Sequence, residues 1–351
     1  MSGSREDRGR RISRCPPVCW LGLALLAGAP ARAADVPADP ALDRYAEPQR
    51  RLSLPGGRAI NLLCEGTGAP TVILEAGAGG STLEWRKVQP AVAQFTQVCA
   101  YDRAGMGFSD AGPLPRSADA VVADLEALLA AARLPPPYVL VAHSLGSYFA
   151  RLYADRHPEE VAGMVLVDPA VEDQDRRFAQ VSPGYARVLR QERSMALECL
   201  HLARAGALSA ELPIFRQCTY GYAREPGFSD ALYAVQVRRR LSVPFREALL
   251  SETDEMEADS RVLHAARRSY GDMPLIVLTQ APENPSDEPG LSAAEVRAMN
   301  AVWMQMHEEL AKLSTRGIHQ VIEHSGHYIQ KDRPDRVIAS IRDVVEDRRR
   351  H

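Results

Sequence analysis

The chain has 351 residues, about twice the usual size of one domain, so it forms one large domain or two. It is 46% apolar and 25% charged, with 24 Gly and 25 Pro, which excludes a disordered, collagen-like or coiled-coil chain. A net charge of −3 argues against a strongly basic nucleic-acid binder, and six cysteines are too few for a disulfide-built scaffold.

The first 33 residues differ from the rest. Arg5, Arg8, Arg10, Arg11 and Arg14 precede an apolar run from Val18 to Ala29, and Ala31-Arg32-Ala33 follows. This is the layout of a secretory signal peptide cleaved before Ala34. The alternative is an uncleaved anchor, but the run is short for a span, which needs roughly 20 residues. The segment's six arginines outweigh Glu6 and Asp7 by four, so its removal leaves 318 residues at a net charge of −7. The predicted location is periplasmic or secreted, where disulfides persist. Cys15 and Cys19 leave with the segment. Cys199 and Cys218 lie in one stretch where they can pair. Cys64 and Cys99 sit on strands, where pairing and a buried apolar role both fit.

Residues 34–49, rich in Pro and Ala, read as a loose lead-in. Arg51–Leu54 and Ala59–Cys64 then flank Pro55-Gly56-Gly57, a hairpin signal. Thr71–Glu75 and Gln97–Asp102 read as buried strands. Residues 118–132 repeat apolar positions at helical spacing and stop before Pro135-Pro136-Pro137. Tyr138–Ala142 is a strand, 145–156 a helix and Val161–Val167 a strand. This alternation predicts an α/β fold, with a mostly parallel central sheet and helices on both faces.

The rhythm stops near residue 170. From 172 to 271 the chain is charged and helical, and alternation resumes with a strand at Leu275–Thr279, a helix over 292–314, a strand at Gly317–Glu323 and a last helix from about Pro334. Residues 50–171 and 272–351 therefore form the core, and 172–271 a helical cap over the carboxyl edge of the strands, where open α/β sheets bind ligands.

The sharpest chemical signal is Val139-Leu-Val-Ala-His-Ser144-Leu-Gly146. Ser144 stands between a strand and a helix, with small Ala142 and Gly146 on either side, as a sharp strand-to-helix turn requires. The backbone N–H of Leu145 would face a developing oxyanion from the helix N-terminus. A serine needs a base, and the candidate is His327 in His324-Ser-Gly-His327, on a Gly-containing loop after the last strand. The second oxyanion donor is assigned to Ala78 in the loop Gly77-Ala78-Gly79-Gly80, which fits neither phosphate-binding glycine pattern. His143 reads as packing near the turn, His324 as a surface or packing residue, and His307 and His319 as exposed. The acidic runs Glu252–Glu257 and Glu283–Glu288 read as solvated surface. No zinc or EF-hand pattern is present.

Four motifs in order carry a resemblance to the α/β-hydrolase superfamily over nearly all of residues 50–348. They are the Gly-rich loop ending in Trp85, Tyr101-Asp-Arg-Ala-Gly-Met-Gly-Phe-Ser-Asp110, the turn at Ser144, and Ser325-Gly-His327 with Asp332-Arg-Pro334 beyond. The resemblance implies an α/β-hydrolase fold with a helical cap and a serine nucleophile. It also implies a mainly structural part for Asp102 and Arg103, and an acid that orients His327. The usual place for that acid, after the strand beyond the cap, offers only Glu283. One strand earlier the chain reads Val165-Leu-Val-Asp168-Pro169, and Asp168 is favoured because a strand end is more rigid than a Pro-rich loop. The expected activity is hydrolysis of an ester, or a related acyl bond, of a small organic molecule, with no cofactor, no metal and no nucleic-acid partner. The alternative is a non-catalytic, receptor-like member binding a small ligand under the cap.

Overall fold

The computed structural model describes residues 36–209, 211–219, 224–285 and 290–350; the predicted signal segment lies outside them. The strands are β1 (Arg50–Ser53), β2 (Ala59–Glu65), β3 (Thr71–Glu75), β4 (Val98–Tyr101), β5 (Tyr138–His143), β6 (Val161–Val167), β7 (Leu275–Gln280) and β8 (Gly317–Ile322). They form one sheet in the order β1-β2-β4-β3-β5-β6-β7-β8. The hairpin β1–β2 and the β2–β4 pair are antiparallel, and every later pairing is parallel.

The helices in chain order are α1 (Gln89–Val92), α2 (Ala118–Ala132), α3 (Gly146–Arg156), α4 (Gln174–Val181), α5 (Tyr185–Arg204), α6 (Phe215–Cys218), α7 (Asp230–Arg240), α8 (Val243–Asp254), α9 (Met256–Ala266), α10 (Ala293–Ala311), α11 (Ile329–Asp332) and α12 (Pro334–Arg350). The central strands are apolar on both faces, so each face must be covered. Ile73, Leu140, Leu166 and Val277 bury against α2, α3 and α10. The alternate residues Val72, Val139, Val165 and Ile276 bury with Val92 of α1 and with Ile341 and Val344 of α12. The period of two along the strands thus sorts residues into two cores.

Helices α4 to α9 lie between β6 and β7 in the chain, with α4 packed on α10 and α9 on α3. Met106, Phe245, Ala248 and Leu249 form an apolar cluster touching Ala78, which joins α8 to the loops after β3 and β4. The lead-in is not loose. Pro40–Ala46 forms a 3-10 helix, and Tyr45, 2% exposed, packs with Leu83, Phe228 and Leu232. Its composition suggested a linker, but one aromatic ring with an apolar niche is enough to anchor it.

Both cysteine pairs are bonded. Cys64 and Cys99 face each other directly across β2 and β4, and Cys199 on α5 is joined to Cys218 on α6. The second bridge closes a sequence separation of 19 residues. Replacing both of its cysteines by serine should cost about 3 kcal/mol, through the freed unfolded chain. Urea unfolding of the double variant, compared with the unaltered protein, measures it.

Candidate active site

The carboxyl ends of β3, β5, β6 and β8 bring the candidate residues to one edge of the sheet. Ser144 has φ +50 and is 5% exposed. Its N–H donates to Val167 O at the end of β6, and its carbonyl accepts from Ser147 N–H and Ala170 N–H. These bonds hold a left-handed conformation that a non-glycine residue takes at a cost. Gly146 is required here, because a Cβ would stand 2.6 Å from Ala76 O. The elbow therefore packs directly on the loop that follows β3.

That loop carries Ala78. A Cβ on Gly77 would stand 2.7 Å from His143 Nδ1 and 3.2 Å from Ser144 Cβ, so glycine lets the loop backbone lie against the elbow. Beneath it, the buried Arg103 guanidinium donates to Ala76 O at 2.6 Å and Gly77 O at 2.8 Å. It also pairs with Glu75 at 2.7 Å and with Glu252 of α8 at 2.8 Å. Arg103 thus ties the oxyanion-loop candidate to α8, a structural part. Burial, only partly offset by Arg103, pushes the Glu75 carboxyl up to about 7. Asp102 accepts from Thr82 N–H, Phe108 N–H and the Asn61 amide, and so shapes the turn. Glu252, expected on a solvated surface, is 1% exposed because Arg103 needs its carboxylate; residues 286–288 of the other acidic run lie outside the described residues.

His327 stands on the loop after β8, and its Nδ1 donates to Asp168 Oδ2 at 2.6 Å. Asp168 ends β6 with φ +43 and is fully buried. Its other oxygen accepts from Gln280 N–H and from Trp303 Nε1–H, both at 3.0 Å. Burial alone would raise the Asp168 carboxyl, but the hydrogen bond and charge of His327, with His307 beside it, hold it below the usual range. Glu283, the other acid weighed from sequence, takes a 2.9 Å bond from Gln280 Nε2, while Asn300 pairs with its backbone. The structure brings Asp168, and not Glu283, to His327.

The other histidines divide. His324 is exposed, with φ +59. His307 was expected to be exposed and is instead completely buried, bonded to Pro169 O through Nε2 and to Thr279 Oγ1 through Nδ1. Burial lowers it to about 4, so it stands neutral below the Asp168 strand end. His319, half-buried, bonds the same Thr279 hydroxyl at 2.7 Å. Both were misread because their partner is a strand threonine far away in sequence. Sequence reasoning also missed Trp303, whose indole N–H helps to fix Asp168, and Glu84, which faces His143. Neither carries a local motif.

A cavity of about 320 Å³ opens between the loop at Ala78 and helices α5, α8 and α9. Ala78, Gly79 and Tyr328 form its floor, and Leu83, Phe245 and Leu249 give it apolar wall. Among the described residues, no group of three or more His, Cys, Asp or Glu is placed to hold a metal ion, and no helix is long and apolar enough to cross a membrane.

Residues 70–209 match the family model described as the alpha/beta hydrolase fold. The uncharacterized protein YqjL of Bacillus subtilis is 38% identical over 109 residues, which cover 31% of this chain and 43% of that protein. A putative carbamate hydrolase, RutD, of Klebsiella pneumoniae is 31% identical over 150 residues, covering 42% of this chain and 56% of the relative. The chain therefore spans only about half the length of these curated relatives. Among solved structures, a putative lipase from Acinetobacter baumannii superposes with a TM-score of 0.61 at 18% identity, covering 88% of this chain and 94% of that one. At that identity the likeness is one of fold.

Proposed function

We propose that the chain, which matches the alpha/beta hydrolase fold model over residues 70–209, is an exported serine hydrolase that cleaves an ester, or a related acyl bond, of a small organic substrate. The observation that carries the reading is the 2.6 Å bond from His327 Nδ1 to the buried Asp168, at the same edge of the sheet as a serine at φ +50. With Nδ1–H given to Asp168, the lone pair of His327 is on Nε2, the atom that must accept the serine proton.

In this mechanism His327 takes the Ser144 proton as Oγ attacks the substrate carbonyl. The N–H groups of Ala78 and Leu145 receive the oxyanion. His327 then protonates the leaving alcohol, and an acyl-Ser144 remains. Water, deprotonated by His327, attacks the acyl carbon, and His327 returns that proton to Ser144 Oγ as the acid leaves. These steps use side chains, backbone and water, with no cofactor. The cavity beside Ala78 would hold the substrate, with the helices between β6 and β7 choosing it. Its volume suits a small molecule. Export is supported by the basic-apolar-small layout of the first 33 residues and by two disulfides, which persist in oxidising compartments.

A fluorophosphonate probe tests the chemistry. The intact protein at neutral pH should be labelled, with the adduct on Ser144 by peptide mass spectrometry. No labelling, beside a lipase control that labels, would leave the receptor-like reading. A series of p-nitrophenyl esters from short to long acyl chains then reads the depth of the substrate cavity.

A further inference from the structure

The buried guanidinium of Arg103 has five N–H groups, and each meets an acceptor. Nη1 donates to Ala76 O at 2.6 Å and to Glu75 Oε1 at 2.7 Å, and Nη2 donates to Gly77 O at 2.8 Å. Nε and Nη2 donate to the two oxygens of Glu252, both at 2.8 Å. The group is planar and its donors have fixed directions. It therefore holds the end of β3, the loop after it and one side chain of α8 in a single frame. Its face lies on the Phe149 ring of α3, the helix that follows Ser144, at 5.1 Å from the centroid.

The Gly77 carbonyl and the Ala78 N–H belong to one planar trans peptide unit and point in opposite directions. A bond that fixes Gly77 O therefore fixes the direction of the Ala78 N–H, the assigned oxyanion donor. Glu252 lies on α8, whose Phe245, Leu249 and Leu250 line the cavity beside Ala78. The turn that carries Arg103 presses on the same helix: a Cβ on Gly105 would stand 2.6 Å from Ala248 Cβ. One helix thus meets the cavity and, through Glu252, the guanidinium that holds the loop.

We propose that Glu252 is a positioning residue: through Arg103 it aims the Ala78 N–H at the developing oxyanion, so that the helix lining the cavity also sets the oxyanion donor. The proposal rests on the serine-hydrolase reading above. Glu252→Gln replaces one of the two oxygens by an NH₂, which can only donate. One buried N–H of Arg103 then loses its acceptor, and the guanidinium turns to satisfy it, taking Gly77 O with it. A slightly misdirected Ala78 N–H still meets the ground-state carbonyl but stabilises the tetrahedral oxyanion less, so the loss falls on kcat. A substrate that seats α8 correctly gains in kcat as well as in KM.

The test compares Glu252→Gln with the unaltered protein in hydrolysis of a p-nitrophenyl ester. The variant should lose about 10- to 100-fold in kcat with KM changed less than about threefold. It should bind phenylboronic acid more weakly by about the same factor, because the tetrahedral adduct on Ser144 uses the same N–H groups. Glu252→Asp keeps both oxygens but draws them back by one methylene, and it should show the same split at a smaller size. Leu249→Ala loosens α8 from its cavity face without touching Arg103, and it should raise KM more than it lowers kcat. Folded Glu252 variants with unchanged kcat, or with KM raised as far as kcat falls and boronate affinity unmoved, would overturn the proposal. Hydrogen exchange reads the loop without catalysis. The Gly80 N–H, bonded to the same Gly77 O at 3.0 Å, should exchange about tenfold faster in Glu252→Gln or Glu252→Asp, and unchanged exchange would refute the coupling. If the unaltered protein neither takes the fluorophosphonate nor hydrolyses esters, the hydrolase reading fails, while exchange at Gly80 still decides whether Glu252 holds the loop.

Discussion

Replacing Ser144 with alanine is expected to lower kcat/KM for a p-nitrophenyl ester by about 10⁵-fold or more, and to abolish fluorophosphonate labelling. The substitution deletes only the hydroxyl. Alanine keeps the Cβ that packs near Gly77, and the backbone bonds to Val167, Ser147 and Ala170 remain. The strain of φ +50 is already borne by a residue with a Cβ, so the fold should be nearly unaffected. The residual rate reports what the N–H groups of Ala78 and Leu145 do without a nucleophile. Circular dichroism and the urea midpoint check the fold. A variant that keeps a tenth of the rate with its structure intact would show that another group attacks the ester.

The sheet was legible because its central strands are unbroken apolar runs punctuated by Gly and Pro. Thr71–Glu75, Tyr138–Ala142 and Val161–Val167 could hardly be anything but buried strands, and the second runs one residue further, to His143. Ser144 was legible for a related reason. A strand that stops at a serine flanked by small residues leaves little choice but a tight turn, and the packing of Gly146 against Ala76 O explains the glycine. The groups around His327 were less so. Asp168 and Glu283 both follow strands; the rigid strand end favoured Asp168, and it is the hydrogen bond from His327 Nδ1 that separates the two in the structure. Glu84, Trp303 and His307 come from a 3-10 turn and a long helix that read as ordinary packing, yet they reach the site across 59 to 138 residues to their partners His143 and Asp168 or Pro169. Such contacts leave no periodic or spacing signal. Glu252 was misread for the same reason: an acidic run on a helix looks solvated until a buried arginine is found opposite it.

The second large effect separates the two acids. Asp168→Asn is expected to cut kcat by about 10⁴-fold, and Glu283→Gln to change it less than about threefold. The asparagine is nearly isosteric, and its three neighbours determine how it sits. Gln280 N–H and Trp303 Nε1–H both point at Asp168 Oδ1, so the amide oxygen must take that place to satisfy two buried donors. The amide NH₂ is then left facing His327 Nδ1. That nitrogen must give up its proton to accept from the amide, which moves the imidazole proton to Nε2. In this tautomer Nε2 can no longer receive the proton of Ser144, so the loss appears in kcat with the site geometry preserved. Glu283 bonds to Gln280 through its side chain and to Asn300 through its backbone, and its removal leaves the His327–Asp168 bond in place. The reverse result, a full rate in Asp168→Asn and a collapsed one in Glu283→Gln, would require the loop after β7 to move onto His327 when substrate binds, and would reassign the acid.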